Sequence, residues 1–157
     1  MIAFSPRSEI GRDRLRRLIG LGPRYLIDEP DHANAVALLE DADVALITGS
    51  WTRVEVSGAL VRAARTGRGN EADLLALLDA DLSPEGPVAV VSGLQESVEE
   101  QALLLVRQHA LRAMDARHLA TAALTIKTLA EPGEEIGFAS RDDGQSAVAG
   151  LMGFRCI

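Results

Sequence analysis

The 157-residue chain is 47% hydrophobic, which suits one folded domain with a sizeable core and excludes a disordered protein. Its formal net charge of −7 argues against non-specific coating of nucleic acid, although a metal-filled carboxylate site is locally positive. No apolar run approaches the roughly 20 residues that span a bilayer, and the N-terminal stretch does not resemble a signal peptide. The single cysteine excludes an internal disulfide. We therefore expect a cytoplasmic protein.

Apolar patterning along the chain predicts short buried strands that alternate with helices. The strands are expected at 44–48, 88–91, 136–140 and 154–157. The helices are expected at 33–41, 51–65, 71–81, 95–111, 115–130 and 144–152. Trp51 and Phe154 suit either the core or an interface, and we expect them in the core. This alternation predicts an α/β fold with a parallel sheet covered by helices on both faces, in one domain over residues 1–157.

Several common chemistries have no motif in this chain. There is no G-x-x-x-x-G-K-[ST] phosphate loop and no G-x-S-x-G nucleophile elbow. The "GLG" at 20–22 begins like a dinucleotide fingerprint, but Tyr25 stands where the third glycine belongs. The histidines and the cysteine lack zinc-site spacing. The remaining candidates for chemistry are carboxylates.

Three acids stand at or near the ends of predicted elements. Glu55 lies inside an apolar helix, Asp115 opens the helix expected at 115–130, and Asp142 follows the strand expected at 136–140. Each has an ordinary structural explanation: an ion pair with Arg62 for Glu55, a helix cap for Asp115 and a turn for Asp142. Three carboxylates near the carboxyl ends of parallel strands would repel each other, and a divalent cation relieves that repulsion. Oxygen ligands without His or Cys favour Mg²⁺ or Mn²⁺.

Three stretches of the chain resemble the second, third and fourth signature segments of PIN-domain ribonucleases. They are "SWTRVEVSGALVRAAR", "LRAMDARHLATAAL" and "FASRDDGQSAVAGLMGF". The stretch "YLIDEPDHANAVALLEDAD" resembles the segment after the family's first helix, so the resemblance covers residues 25–157. The nearest group is the VapC-type toxins of bacterial toxin–antitoxin pairs.

The resemblance implies a three-layer α/β/α sandwich and a sequence-selective endoribonuclease that uses Mg²⁺ or Mn²⁺. Its substrate would be tRNA, rRNA or mRNA, a cognate VapB-type antitoxin would inhibit it, and a homodimer is expected. Matched position by position, Glu55 and Asp115 correspond to metal-binding acids and Asp142 to the fourth acid of the site. Ser140 corresponds to a hydroxyl that supports that site.

The start of the chain departs from the family pattern. The family begins with a strand that ends in a metal-binding aspartate, and the place of that aspartate falls at about Arg17. Asp13 comes too early and Asp28 lies beyond the first helix. As written, the chain lacks a main ligand, and we expect weak metal binding and little RNase activity. We also expect the central strand to be missing, with residues 12–22 forming a helix or no regular structure.

A shifted reading frame would account for this departure. A codon choice exists for residues 12–24 that, read one base later, encodes "AIVYVDSSALVR", a family-like first strand and helix with its aspartate at the boundary of Arg17 and Leu18. We therefore hypothesise that residues 1–24 are an out-of-frame segment. Two other functions stay open: a PIN-like module that binds a protein without catalysis, and a flavodoxin-like or receiver-like α/β domain.

Overall fold

The computed structural model describes residues 15–18, 25–26, 28–30, 32–41, 43–132 and 134–156. Within these ranges the strands are β1 (Leu15–Leu18), β2 (Val44–Gly49), β3 (Val88–Val91), β4 (Ile136–Phe138) and β5 (Arg155–Cys156). The six helices of the described residues are α1 (His32–Glu40), α2 (Thr52–Arg65), α3 (Glu71–Asp81), α4 (Gln95–His109), α5 (Ala113–Leu129) and α6 (Asp143–Leu151). Within the ranges given above, no helix combines the length and apolarity needed to cross a membrane.

The strands form one parallel sheet in the order β3-β2-β1-β4-β5. All the carboxyl ends of the strands therefore meet at the same edge of the sheet, where ligands of open α/β folds bind. The predicted parallel sheet is confirmed, and the structure agrees with a PIN-like α/β/α fold.

Each face of the sheet carries its own hydrophobic core. Successive residues of β2 face opposite ways, because Leu46 packs in one core and Ile47 in the other. The first core is built from α4, α5 and α6 and includes Leu119, Ile126, Phe138, Val148 and Phe154. The second is built mainly from α2 and α3 and includes Leu60, Leu78 and Val88. This two-sided burial explains the continuous apolar run of β2. β3 lies at the edge of the sheet, where Val88 is buried but Val90 is 43% exposed, so the expectation of a buried strand holds there only for Val88.

The central strand is present, contrary to the expectation from the sequence. β1 spans Leu15–Leu18 and pairs with β2 on one side and β4 on the other. Hydrogen bonding on both edges outweighs the local sequence, in which two arginines give little indication of a central strand. For these four residues the expectation of a helix or of no regular structure was wrong. Residues 12–14 and 19–22 lie outside the described residues.

The two aromatic residues expected in the core differ in their surroundings. Phe154 is buried and packs against Phe138, with the ring centroids 5.9 Å apart. Trp51 is 43% exposed, so its assignment to the core was wrong. The reason is its place at the start of α2, beyond the carboxyl end of β2, where the ring stands outside both cores.

Candidate active site

Glu55 is held at the carboxyl edge of the sheet by the junction of β2 with α2. The buried hydroxyls of Thr48, near the end of β2, and Thr52, at the start of α2, share a hydrogen bond of 2.7 Å. This contact links the strand directly to the first turn of the helix that carries Glu55. The acid therefore lies less than two turns beyond the strand, as the sequence predicts.

The partner of Glu55 is His118, which was not among the residues predicted for the site. The Nε2 atom of His118 and the Oε2 atom of Glu55 form a short hydrogen bond between α2 and α5. The expected ion pair with Arg62 is not the contact made. Arg62 instead covers Gly58, with its Nη1 atom 3.3 Å from the position that a Cβ would take. The spacing of His118 three residues after Asp115, on the same side of one helix, is the signal that could have identified it.

Asp115 lies in the first turn of α5 but is not its cap. The N-cap residue is Arg112, whose side chain makes no capping hydrogen bond, so the assignment of Asp115 as the cap was wrong. Burial raises the pKa of Asp115 above its ordinary value, and the negative charges of Asp142 and Glu55 raise it further. The positive charges of Arg112 and His118 act in the opposite direction. Asp142 and Glu55, both far from Asp115 in sequence, thus lie within electrostatic range of it.

Asp142 and Ser140 belong to a hydrogen-bonded turn that leads from β4 into α6. Asp142 is the N-cap of α6, and its Oδ1 accepts a hydrogen bond of 2.8 Å from the backbone N–H of Gln145. The hydroxyl of Ser140 accepts a hydrogen bond of 3.1 Å from the backbone N–H of Asp142. Asp142 is therefore oriented by its own backbone surroundings as a cap, which refines the prediction of a simple turn residue.

Gln145 connects this turn to Asp115. Its buried side chain accepts a hydrogen bond of 2.5 Å from the hydroxyl of Ser140 and donates one of 3.0 Å to the backbone carbonyl of Asp115. Gln145 was not among the residues predicted for the site. The pattern Asp-x-x-Gln at 142–145 has the form of a capping box and could have indicated this residue. In the structure, however, the side-chain amide of Gln145 forms its hydrogen bonds with Ser140 and with the backbone of Asp115.

The donor chemistry of these residues suits a hard divalent cation, whereas their present positions do not form a complete ligand cluster. Carboxylate and hydroxyl oxygens are the donors that Mg²⁺ and Mn²⁺ prefer. Across the described part of the chain, no three His, Cys, Asp or Glu side chains are grouped closely enough to hold a metal ion. Glu55 is engaged by His118, and Asp142 by the N–H of Gln145, so an ion would compete with existing hydrogen bonds.

An arginine-lined cavity of about 400 Å³ lies along α2. Arg62, Arg68 and Arg141 contribute to its wall, together with Glu29 and apolar residues of α2. Arg68 donates hydrogen bonds of 2.7 Å to both carboxylate oxygens of Asp28 and one of 2.8 Å to Glu29. Arg141, which directly precedes Asp142, donates one of 3.0 Å to Glu29. Because Glu55, Ala59, Arg62 and Thr66 follow helical spacing, the cavity continues the face of α2 that carries Glu55.

Comparison with known proteins identifies the family. The PIN domain family matches residues 24–151, which is well over half of the chain and leaves residues 1–23 outside the match. No curated protein matches the sequence. PIN domains are generally nucleases that act on nucleic acid with the help of divalent metal ions. The fold, the acids at the carboxyl edge of the sheet and the match over 24–151 lead to one conclusion: this chain belongs to the PIN domain family.

Proposed function

We propose that the protein is a metal-dependent endoribonuclease of the VapC toxin type, and that the nuclease activity of the chain with this sequence is impaired. In this proposal Glu55, Asp115 and Asp142 hold Mg²⁺ or Mn²⁺, and Ser140 supports the site. The observation that carries it is electrostatic: burial raises the pKa of Asp115, and the charges of Asp142, in the turn before α6, and of Glu55, on α2, raise it further. A divalent cation would relieve this repulsion among three carboxylates.

The chain's own residues would position the donors around the scissile phosphate. When bound, the ion would supply Lewis acidity for hydrolysis of an RNA phosphodiester. Gln145 and Ser140 orient Asp142 and tie it to the backbone of Asp115. His118 contacts one oxygen of the Glu55 carboxylate, so an ion would bind through the other oxygen or displace this hydrogen bond. A VapB-type antitoxin and a homodimer, both implied by the resemblance, are part of the same proposal.

The impairment follows from β1. Arg17 is in register with Leu46 of β2 and Gly137 of β4, one residue before the end of the strand. An arginine at the position of the first metal-binding aspartate repels a cation instead of holding it. The chain would therefore bind metal weakly, and its RNA cleavage would be slow or absent.

A cleavage assay on single-stranded RNA with Mg²⁺ or Mn²⁺ tests this proposal. Three proteins are compared: the chain as written, Arg17→Asp, and a chain in which "AIVYVDSSALVR" replaces residues 12–23. We expect cleavage from the replaced chain, less from Arg17→Asp, and least from the chain as written. Adding Asp115→Asn to the replaced chain should abolish cleavage, which controls for contaminating ribonuclease. No cleavage by the replaced chain on any RNA class would contradict the proposal.

A second function, protein binding without catalysis, is favoured by Arg17 and by the lack, among the described residues, of three His, Cys, Asp or Glu side chains close enough to hold a metal ion. Binding of Mn²⁺, measured by calorimetry, separates the two. Binding that is lost in Asp115→Ala supports the nuclease. No Mn²⁺ binding, together with retained affinity for a co-encoded antitoxin, supports the binding module.

A further inference from the structure

Trp51 is a large aromatic side chain that the core does not use. It is the single tryptophan of the chain and is 43% exposed at the start of α2. The guanidinium carbon of Arg117 lies 5.0 Å from the centroid of its ring, which is a cation–π arrangement. Arg117 also approaches the Glu99 carboxylate at 4.0 Å. The ring is thus fixed on the surface by a charged neighbour rather than buried by apolar ones.

This pair borders the proposed carboxylate site from two helices. Trp51 precedes Glu55 by four residues, which is about 6 Å along a helix axis. On α5, Arg117 lies between Asp115 and His118 in sequence, and His118 contacts Glu55. An exposed aromatic ring and a guanidinium therefore lie near Glu55 and its partner His118, beyond the carboxyl end of β2.

We propose that Trp51, backed by Arg117, is a stacking site for an unpaired base of single-stranded RNA next to the carboxylates. The proposal rests on the proposed function, which supplies RNA as the substrate class. Unpaired bases present faces that stack on aromatic rings and arginine planes, and the flanking phosphates pair with a guanidinium. An apolar protein partner would instead have to desolvate the charge of Arg117, which is costly without a matching anion.

The alternative occupant of this surface is a second copy of the chain. Val54, one turn along α2, is 57% exposed, and Leu94, before α4, is 80% exposed. Such exposed apolar side chains could take part in a dimer contact, so this is an outcome that the experiment has to separate from base stacking.

Because Trp51 is the only tryptophan, its fluorescence reports on this site alone. The protein is titrated with a short single-stranded oligoribonucleotide in EDTA, so that binding is measured without cleavage. We expect saturable quenching by the oligoribonucleotide and little quenching by an abasic ribose-phosphate strand of the same length. Equal responses to the two strands, or no response to either, would overturn the proposal.

Variants of Trp51 separate a loss of base stacking from a loss of folding. With fluorescently labelled RNA in EDTA, Trp51→Leu should bind roughly tenfold more weakly, whereas Trp51→Phe, which keeps a ring, should lose much less. Leu129→Ala is the matched control, because Leu129 is 44% exposed at the opposite end of α5, and it should bind like the unaltered chain. Circular dichroism checks that each variant is folded.

Two results would count against base stacking whatever the nuclease assay shows. One is unchanged RNA affinity in a folded Trp51→Leu variant. The other is a dimer, seen by analytical ultracentrifugation, that dissociates in Trp51→Leu without any change in RNA affinity. Conversely, the RNA could quench the fluorescence of Trp51 although no cleavage is detected. That result would contradict the proposed nuclease activity but not the proposed stacking site.

Discussion

At the scale of single residues, Asp115 is an acid whose ionisation is less favourable in the folded protein than in the unfolded chain. Its pKa is raised by burial and by Asp142 and Glu55, which means that the folded state holds the proton more tightly than the unfolded chain does. That contribution to stability is fully present below the ordinary pKa of an aspartate, about 3.9. It is lost as the pH rises through the raised pKa, so ionisation of this carboxyl destabilises the metal-free fold.

Asp115→Asn should therefore stabilise the metal-free protein at neutral pH and have little effect near pH 3. The free energy of unfolding, measured with urea in EDTA across this range, tests the sign. Adding Mn²⁺ should make the unaltered chain the more stable of the two proteins. An ion at ten times its Kd raises the free energy of unfolding of the unaltered chain by about 1.4 kcal/mol and that of the variant by much less. An order of stabilities that Mn²⁺ leaves unchanged would contradict the metal site.

The sequence indicated candidate acids but not the residues that contact them. Glu55, Asp115 and Asp142 were recognisable because a carboxylate at the end of an apolar element is unusual. His118 and Gln145 were not, since their roles depend on contacts between helices distant in sequence. The same limit explains the mistaken Arg62 partner, because helical spacing predicts neighbours on one helix and says nothing about α5.

At the scale of elements, Asp142 combines two roles that substitutions can separate. Asp142→Asn keeps the oxygen that caps α6 and should cost only a few tenths of a kcal/mol. Asp142→Ala removes the acceptor of the Gln145 N–H and should cost about 1 kcal/mol in urea unfolding. Both should weaken Mn²⁺ binding, as measured by calorimetry. An Asn variant that binds Mn²⁺ as tightly as the unaltered chain would reduce Asp142 to a helix cap.

Most elements were predictable, and the exceptions have physical causes. Helical periodicity located α1 to α6 to within a few residues, and the β-branched runs located β2 and β3. β1 was missed because its strand conformation comes from pairing with β2 and β4, which the letters "LRRL" do not reveal. β4 is shorter than expected, because Ser140 and Asp142 turn the chain into the cap of α6.

At the scale of the whole molecule, the net charge of −7 contrasts with the arginines along the cavity beside α2. Arg68 and Arg141 are already paired with acids of residues 28–29. Among the described residues, no carboxylate forms a salt bridge with Arg62, and this arginine is the best placed of the three to meet an RNA phosphate. The overall acidity would repel RNA elsewhere, so affinity should depend on few contacts and fall steeply with salt.

Arg62→Ala should lower the affinity for single-stranded RNA and flatten its salt dependence. Each phosphate contact contributes roughly 0.7 to the slope of log affinity against log salt for single strands, and the slope should fall by about that amount. Fluorescence anisotropy in EDTA at several KCl concentrations measures it. Arg53→Ala is the control, because Arg53 lies on the same helix, outside the cavity, and pairs with Asp79 at 3.6 Å. Equal slopes for both variants would exclude Arg62 as a phosphate contact.

The position of β1 in the sheet also has a consequence for synthesis on the ribosome. β1 is made first, yet its two neighbours come from residues 44–49 and 136–138. One of its edges therefore has no native partner until nearly the whole chain has emerged, and an open strand edge invites pairing with other nascent chains. We expect the yield of folded protein to depend on chaperones that shield the early chain, more than for a sheet assembled from consecutive strands.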